Sequence, residues 1–170
     1  MDIVRASPSD VDALLKLSRK TFHDSFHRLN TKANMDAYMD QAFTKEKLLG
    51  ELQNPDSEFY FMKVDDIILG YLKINRNSAQ SEFRDPKSLE IERIYVVKEY
   101  QGLGIGSMLI EWAKDIALDN GLDFVWLGVW EKNPGAIRLY ERNGFKEFSE
   151  HEFVMGDEVQ IDKLMMCRIW

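Results

Sequence analysis

Apolar and polar positions at the start of the chain predict a short strand followed by helices. Residues 3–6 are typical of a strand, and Ser7, Pro8 and Asp10 then form a helix-start signal. Serine caps helix N-termini, and proline suits the first helical turn. Apolar residues continue at helical spacing to about position 18. A second helical region is predicted from about residue 31 to 52, with a break near Thr44, which can cap a new turn.

The middle of the chain changes to β-type patterns. Two apolar runs, residues 59–64 and 67–74, flank Asp65-Asp66 and predict a β-hairpin. A polar loop follows over residues 75–87, and a fourth strand is predicted at 89–97. A glycine-rich turn then leads into a helix with one apolar stripe, so the pattern predicts a β-turn-α unit.

The last third of the chain completes a mixed α and β order. The predicted helix ends at Asn120-Gly121, where glycine suits the left-handed conformation that follows a helix. Residues 124–130 are almost continuously apolar, as expected of a strand buried on both faces. Asn133-Pro134 opens another helix, which ends at Asn143-Gly144. Two closing strands are predicted, at residues 145–148 and 163–169. We expect one domain over residues 1–170, built around a single sheet.

Composition narrows the classes of function. The chain is 45% hydrophobic and 30% charged, with no apolar run long enough to span a bilayer and no signal-peptide pattern at its start. Cys167 is the only cysteine, so no intramolecular disulfide can form. These features predict a cytoplasmic protein with no membrane partner. The net charge of −7 argues against broad nucleic-acid binding, and it permits a cationic ligand without requiring one.

The segment from Gln101 to Gly106, between a strand and a helix, is the strongest local signal. Its glycines let backbone N–H groups approach a ligand, and the helix N-terminus favours a phosphate. The dinucleotide fingerprint fails because Ser107 stands where its third glycine would fall. The nucleotide P-loop fails because no Gly-Lys-Ser/Thr follows. The pattern Gln/Arg-x-x-Gly-x-Gly/Ala fits at every position and is favoured over a glycine turn without a ligand.

With this loop, the chain resembles the GNAT N-acetyltransferases. The resemblance extends over the strand at residues 89–97, the run 126–133, Leu139-Tyr140 and Gly144-Phe145. Within that superfamily the chain is similar to PaiA-type spermidine/spermine acetyltransferases. The resemblance implies an α/β (α+β) fold, with a mixed, mostly antiparallel six- to seven-stranded sheet flanked by helices.

The resemblance also implies acetyl-CoA as cosubstrate and no metal. The acceptor that it implies is a small amine, namely a polyamine such as spermidine or spermine. Backbone N–H groups near Ile94 would face the thioester carbonyl, and those of Val96 would hold the pantetheine arm like an added strand. No covalent enzyme intermediate is required if both substrates are held together, so direct attack in a ternary complex is expected. The implied acetyl-CoA site comprises Ile94, Tyr95, Val96, Gln101, Gly102, Leu103, Gly104, Ile105, Gly106, Ser107 and Asn133.

Two catalytic roles follow from the chemistry of acetyl transfer. An alkyl amine has a pKa of about 10 and must lose a proton before it attacks. Glu90 and Glu92 lie on one face of the fourth strand; Glu92 matches the position of a carboxylate in related enzymes and is the candidate base, acting through water. The alternative is that these glutamates only attract the cation or pair with a neighbour such as Arg93. Tyr140 matches the family's general acid for the leaving thiolate.

Other residues are assigned more simply. Asp24 and Glu90 are candidate ligands of the amine, and Asn133 is also a good N-cap for its own helix. His23 and His27 have a metal-binding spacing, but no third ligand is evident and a pocket wall is favoured. Two rival functions stay open: acetylation of a protein or peptide amine, and a non-catalytic acyl-CoA sensor. No oligomeric state is predicted.

Overall fold

The computed structural model describes residues 1–169, which form a layered α/β structure around one seven-stranded sheet. The strands are Asp2–Arg5 (β1), Ser57–Val64 (β2), Ile67–Asn75 (β3), Ser88–Val96 (β4), Phe124–Trp130 (β5), Lys146–Met155 (β6) and Glu158–Arg168 (β7). The α-helices are Val11–Phe26 (α1), Lys32–Ala42 (α2), Lys45–Gln53 (α3), Ile105–Asp119 (α4) and Pro134–Arg142 (α5).

The strands lie in the order β1-β2-β3-β4-β5-β7-β6. Neighbouring strands are antiparallel except β4 and β5, which are parallel. A parallel pair needs a crossover connection, and α4 supplies it. The predicted mixed, mostly antiparallel sheet is therefore confirmed, and so is its central β-turn-α-β unit.

Helices cover both faces of the sheet, so two apolar cores form. On one face α4 packs against alternate residues of β5, namely Val125, Leu127 and Val129. On the other face α1, α2 and α3 pack against the central strands, for example at Phe59 and Tyr71. The continuous apolar run of β5 follows directly from burial on both faces.

The predicted starts of two helices and the predicted hairpin turn are present in the structure. The hydroxyls of Thr31 and Thr44 accept hydrogen bonds from backbone N–H groups at the starts of α2 and α3, both at 3.1 Å. The predicted break near Thr44 is therefore confirmed. Asp65-Asp66 forms the turn of the β2–β3 hairpin, and Asp65 has a φ of +52°, which aspartate tolerates.

The predicted closing strands, residues 145–148 and 163–169, were too short. β6 and β7 form a long antiparallel hairpin whose turn contains Gly156 with a φ of +63°. Most β6 side chains are exposed, because β6 is the edge strand of the sheet. Its sequence is accordingly polar, so an apolar pattern could not reveal its full length.

Candidate active site

A large cavity begins where the two parallel strands separate. β4 and β5 pair only from Ser88 opposite Phe124 to Ile91 opposite Leu127, and beyond these residues they diverge. The cavity has a volume of about 1190 Å³ and lies between the ends of α1 and α2, the diverging strands, the glycine loop and α5. Its dimensions suit an extended ligand that enters between the strands.

The divergence leaves a free backbone edge along the end of β4. The N–H of Val97 donates to the carbonyl of Leu69 on β3 at 2.8 Å. Since backbone groups of successive residues in a strand point to opposite sides, the N–H groups of Ile94 and Val96 point away from β3 and into the gap. The Gln101 side chain donates to the carbonyl of Val96 at 3.2 Å, which is consistent with that direction. The edge offers hydrogen bonds to a ligand that lies alongside β4.

The glycine loop positions the N-terminus of α4 at the cavity. Gly102 and Gly104 have φ values of +83° and +80°, the left-handed region that favours glycine. A Cβ at either position would meet no atom within 4 Å, so their absent side chains leave open space. The helix begins at Ile105, and its first N–H groups have no intrahelical partner. This geometry fits an anionic phosphate.

Two members of the predicted loop set differ from the others. The Leu103 side chain is 62% exposed and does not line the cavity. A Cβ at Gly106 would lie 3.1 Å from the Leu139 side chain, so Gly106 also permits close packing of α4 against α5. The rest of the loop set, together with Ile94, Tyr95, Val96 and Asn133, lines the cavity.

Tyr140 and Asn133 lie on the opposite wall. The Asn133 side chain accepts a hydrogen bond from the N–H of Ala136 at 3.3 Å, which confirms its predicted N-cap role. Tyr140 lines the cavity and is only 7% exposed. Burial raises the pKa of the Tyr140 hydroxyl above its ordinary value, because a phenolate would lose its solvation. The group therefore stays protonated at neutral pH, as a proton donor must.

Glu92 belongs to a partly buried ionic cluster in the wall of the cavity. Its carboxylate lies 3.0 Å from the Lys73 ammonium and 3.1 Å from the Arg93 guanidinium, and it accepts a hydrogen bond from Asn75 at 2.8 Å. Glu51 contacts both cations. A bulge in the β3–β4 pairing lets Glu92 and Arg93 reach this same cluster although they are adjacent in sequence.

The two candidate bases have opposite pKa shifts. Burial disfavours the charged form of Glu92, but the charges of Arg93 and Lys73, with hydrogen bonds from Lys73 and Asn75, lower its pKa to about 2. Burial raises the pKa of Glu90 above its ordinary value, although hydrogen bonds from Ser81 and Asn75 oppose the shift. A carboxylate with a pKa of about 2 is a weak proton acceptor. The electrostatics thus favour Glu90 over Glu92 as base, and they favour the alternative in which Glu92 pairs with Arg93.

Comparison with known proteins agrees with this geometry. Residues 17–145 match the family described as "Acetyltransferase (GNAT) family". The chain belongs to the GNAT acetyltransferase family. It is 42% identical over 163 residues to an uncharacterized N-acetyltransferase of Lactobacillus delbrueckii subsp. lactis, covering 96% of this chain and 94% of that protein. This GNAT protein is therefore an N-acetyltransferase.

Two further comparisons concern the sequence and the fold of this acetyltransferase. It is 26% identical over 152 residues to the spermidine N(1)-acetyltransferase of Thermoplasma acidophilum, with 86% of this chain and 88% of that protein covered. Its fold matches the crystal structure of the PaiA N-acetyltransferase from the same organism in complex with coenzyme A. That match has a TM-score of 0.81 and 22% identity, and it covers 98% of both chains. The predicted GNAT fold is confirmed.

The acetyltransferase brings nearly all predicted site residues to one cavity. Glu90, Glu92 and Tyr140 line it, and so does Asp24, whose carboxylate also lies 3.3 Å from the Lys20 ammonium on the same helix. The rings of His23 and His27 stack with centroids 4.6 Å apart. Within residues 1–169, no group of three or more histidine, cysteine, aspartate or glutamate side chains is placed to hold a metal ion. No helix in that range is long and apolar enough to cross a membrane.

Sequence reasoning assigned no binding or catalytic role to several residues of this cavity, Asp162, His151 and Arg93 among them. Asp162 and His151 line it from β7 and β6, and Arg93 lines it between Glu92 and Ile94. The His151 ring contacts the Glu82 carboxylate, and its other nitrogen lies 3.5 Å from the Asp162 carboxylate. If the β6–β7 hairpin had been predicted at its full length, its register would have placed His151 opposite Asp162 and so predicted their contact.

Replacing Glu92 by glutamine should remove part of the acid sensitivity of folding. The pKa of Glu92 in the folded protein is lowered to about 2. The ionised side chain therefore stabilises the fold at pH values above its pKa in the unfolded chain, and this stabilisation is lost as the pH falls through its pKa in the folded protein. The wild type should exceed Glu92→Gln in free energy of unfolding by roughly 2–3 kcal/mol at pH 7, a difference that shrinks between about pH 4.5 and pH 2. Urea unfolding at pH 7, 4.5 and 3 measures it.

The matched control is Glu147→Gln, which removes the carboxylate of an exposed ion pair with Lys163. Exposed ion pairs contribute little to stability, so this variant should have the same free energy of unfolding as the wild type at every pH. A Glu92→Gln deficit that stays constant from pH 7 to pH 3 would contradict the assigned pKa.

Proposed function

We propose that this acetyltransferase transfers an acetyl group from acetyl-CoA to a primary amine of a small di- or polyamine, such as spermidine or spermine. One observation carries the proposal: the free edge of β4 and the glycine loop open into the same cavity as the carboxylates of Asp24, Glu90 and Asp162. An anion-binding half suits CoA, and a carboxylate-lined half suits a cationic acceptor. The spermidine-acetylating relative supports the choice of acceptor.

The residues present fit acetyl-CoA without a metal. The left-handed glycines and the start of α4 supply N–H donors for phosphate, and the N–H groups of Ile94 and Val96 supply donors along an extended arm. When bound, acetyl-CoA supplies an acetyl group activated as a thioester. The Ile94 N–H is the donor we assign to the carbonyl oxygen of that group, where negative charge develops during attack.

Proton movement is assigned to two side chains. Glu90, whose pKa is raised by burial, takes a proton from the acceptor amine through a water molecule. Tyr140, kept protonated by burial, gives a proton to the departing sulfur. Glu92 holds Lys73 and Arg93 in place and contributes no proton transfer. The amine attacks directly while both substrates are bound, so proximity lowers the barrier.

The test is CoA release from acetyl-CoA, followed with a thiol reagent, in the presence of spermidine, spermine, lysine or a peptide panel. Saturable release with the polyamines, and an acetylated polyamine by mass spectrometry, is expected. Release with peptides alone would replace the acceptor by a protein amine. CoA binding without release for any acceptor would overturn the enzymatic proposal in favour of an acyl-CoA sensor.

A comparison of kcat for two variants tests the choice of base. Glu90→Gln should lower kcat by about 100-fold or more, whereas Glu92→Gln should lower it much less at a pH where both variants are folded. The reverse order would return the role of base to Glu92.

A further inference from the structure

Gly128 is an exposed residue in a strand that is otherwise largely buried. The adjacent residues Leu127 and Val129 point into the α4 core, so Gly128 faces the opposite side of the sheet, together with Trp126 and Trp130. It is also the first residue of β5 beyond the parallel pairing with β4. A glycine between two indoles on one face leaves a slot one side chain deep, and this slot lies within the cavity wall.

The walls of the slot are held in place. The Trp126 Nε1–H donates to Gln80 at 2.7 Å, and its ring meets Phe83 edge-on. The Trp130 ring packs against Phe26 of α1 with centroids 6.0 Å apart. Neither indole can turn to fill the space above Gly128 without breaking these contacts, so the slot is a preformed feature of the site.

A carboxylate stands at the edge of the slot. A Cβ built on Gly128 would meet only Leu164 Cδ2, at 3.5 Å, and Asp162 Oδ2, at 3.7 Å. Asp162 lies on β7 opposite Trp130, and its carboxylate is fixed by His151, which in turn contacts Glu82. Two carboxylates share this single imidazole, so with both carboxylates ionised the group carries net negative charge whether or not the imidazole is protonated. Burial raises the pKa of the Asp162 carboxyl, and the contact with His151 opposes that shift. Aromatic walls with a carboxylate form a good site for an alkylammonium ion.

We propose that the Gly128 slot and Asp162 bind a second, non-reacting ammonium group of the acceptor, and that Gly128 sets the size of the chain accepted there. The inference rests on the proposed function and deepens it. An amine beside a carboxylate is stabilised as ammonium and cannot attack. The anchored nitrogen is therefore not the acetylated one, and the site selects diamines and polyamines over monoamines.

The experiment compares 1,4-diaminobutane with n-butylamine as acceptors for wild type, Asp162→Asn and Gly128→Val. Asp162→Asn should raise the KM for the diamine about 10- to 100-fold, because a charge-assisted hydrogen bond is lost, and leave the KM for butylamine within about threefold. Gly128→Val should also raise the diamine KM. Both variants should keep the wild-type dissociation constant for CoA.

Matched controls separate the slot from general destabilisation. Glu147→Gln removes a carboxylate outside the cavity, and Gly50→Ala adds a methyl group where no atom lies within 4 Å. Gly128→Ala is the milder variant, since its Cβ contacts are at ordinary van der Waals distance and the fold should be kept. Equal changes in KM for both amines, no change in either, or a parallel loss of CoA affinity would overturn the proposal.

A direct binding measurement distinguishes this inference from the proposed function. Trp126 and Trp130 flank the slot, so a bound diamine should change the tryptophan fluorescence of the CoA-loaded protein. If the wild type acetylates neither amine, the proposed acceptor fails. Diamine binding that is lost in Asp162→Asn would then still support the slot, and no binding would refute it.

Discussion

Replacing Gly104 by aspartate is expected to abolish CoA binding, with a dissociation constant at least 100-fold above the wild-type value. Gly104 has a φ of +80° and directly precedes the N-terminus of α4. An aspartate side chain there places negative charge where the phosphate would approach, and it adds bulk in the open space of the loop. Repulsion and obstruction act together, so this change should have the largest effect on cosubstrate binding.

The variant should nevertheless fold. A Cβ at Gly104 meets no atom within 4 Å, and aspartate is among the residues that best tolerate both the left-handed conformation and the helix-cap position. Gly104→Ala is the control for backbone strain alone and should bind CoA with an intermediate affinity. Isothermal titration calorimetry with CoA, beside a thermal melt of each variant, makes the measurement. CoA affinity within threefold of wild type in Gly104→Asp would refute the phosphate assignment.

Local signals were sufficient to predict the part of the cavity proposed to bind CoA. The glycine loop, the start of α4 and the Asn133 cap depend on residues close together in sequence, and each formed where it was predicted. The buried strand β5 could also be predicted from local sequence, because a strand that is buried on both faces has an unbroken apolar run. Family resemblance then supplied roles that composition alone could not.

The part of the cavity proposed to bind the acceptor depends on contacts that are distant in sequence. The β3–β4 bulge lets Arg93 contact both Glu92 and Glu51, which lies 42 positions upstream of Arg93, and no local pattern encodes that bulge. Likewise, His151 contacts Asp162 because of the register of the β6–β7 hairpin. The full length of that hairpin could not be predicted, because β6 is a largely polar edge strand. Glu92 matched a family position, and from its lowered pKa we propose that it holds Lys73 and Arg93 in place and leaves the role of base to Glu90.

The charge arrangement of the cavity reconciles two opposing needs. Carboxylates attract a polycation but stabilise its protonated form, which cannot attack. Glu92 is paired with Lys73 and Arg93, whereas Asp162 contacts the His151 ring. The acetyl group is assigned next to Ile94 on β4, and the proposed anchoring carboxylate belongs to a different strand, β7. Attraction and deprotonation can then take place at different nitrogens of one acceptor.

Replacing Tyr140 by phenylalanine should lower kcat by about 100-fold or more while CoA affinity stays within about twofold. The change removes one oxygen from a residue that is 7% exposed, and the ring keeps its edge contact with Phe145 at 6.1 Å. Because burial raises the Tyr140 pKa above its ordinary value, the wild-type acid stays protonated throughout the neutral range, so the loss should be uniform from pH 6 to pH 9.

Single-turnover acetyl transfer, measured beside CoA titrations and thermal melts, isolates the chemical step from binding and folding. Tyr60→Phe is the matched control, since it also removes a hydroxyl from a buried tyrosine, one that donates to Glu58 and does not line the cavity. Its kcat should match the wild type. A Tyr140→Phe enzyme with unchanged turnover would remove the general acid from the mechanism, and the thiolate would then have to leave unprotonated, stabilised only by the start of α5 and by solvent.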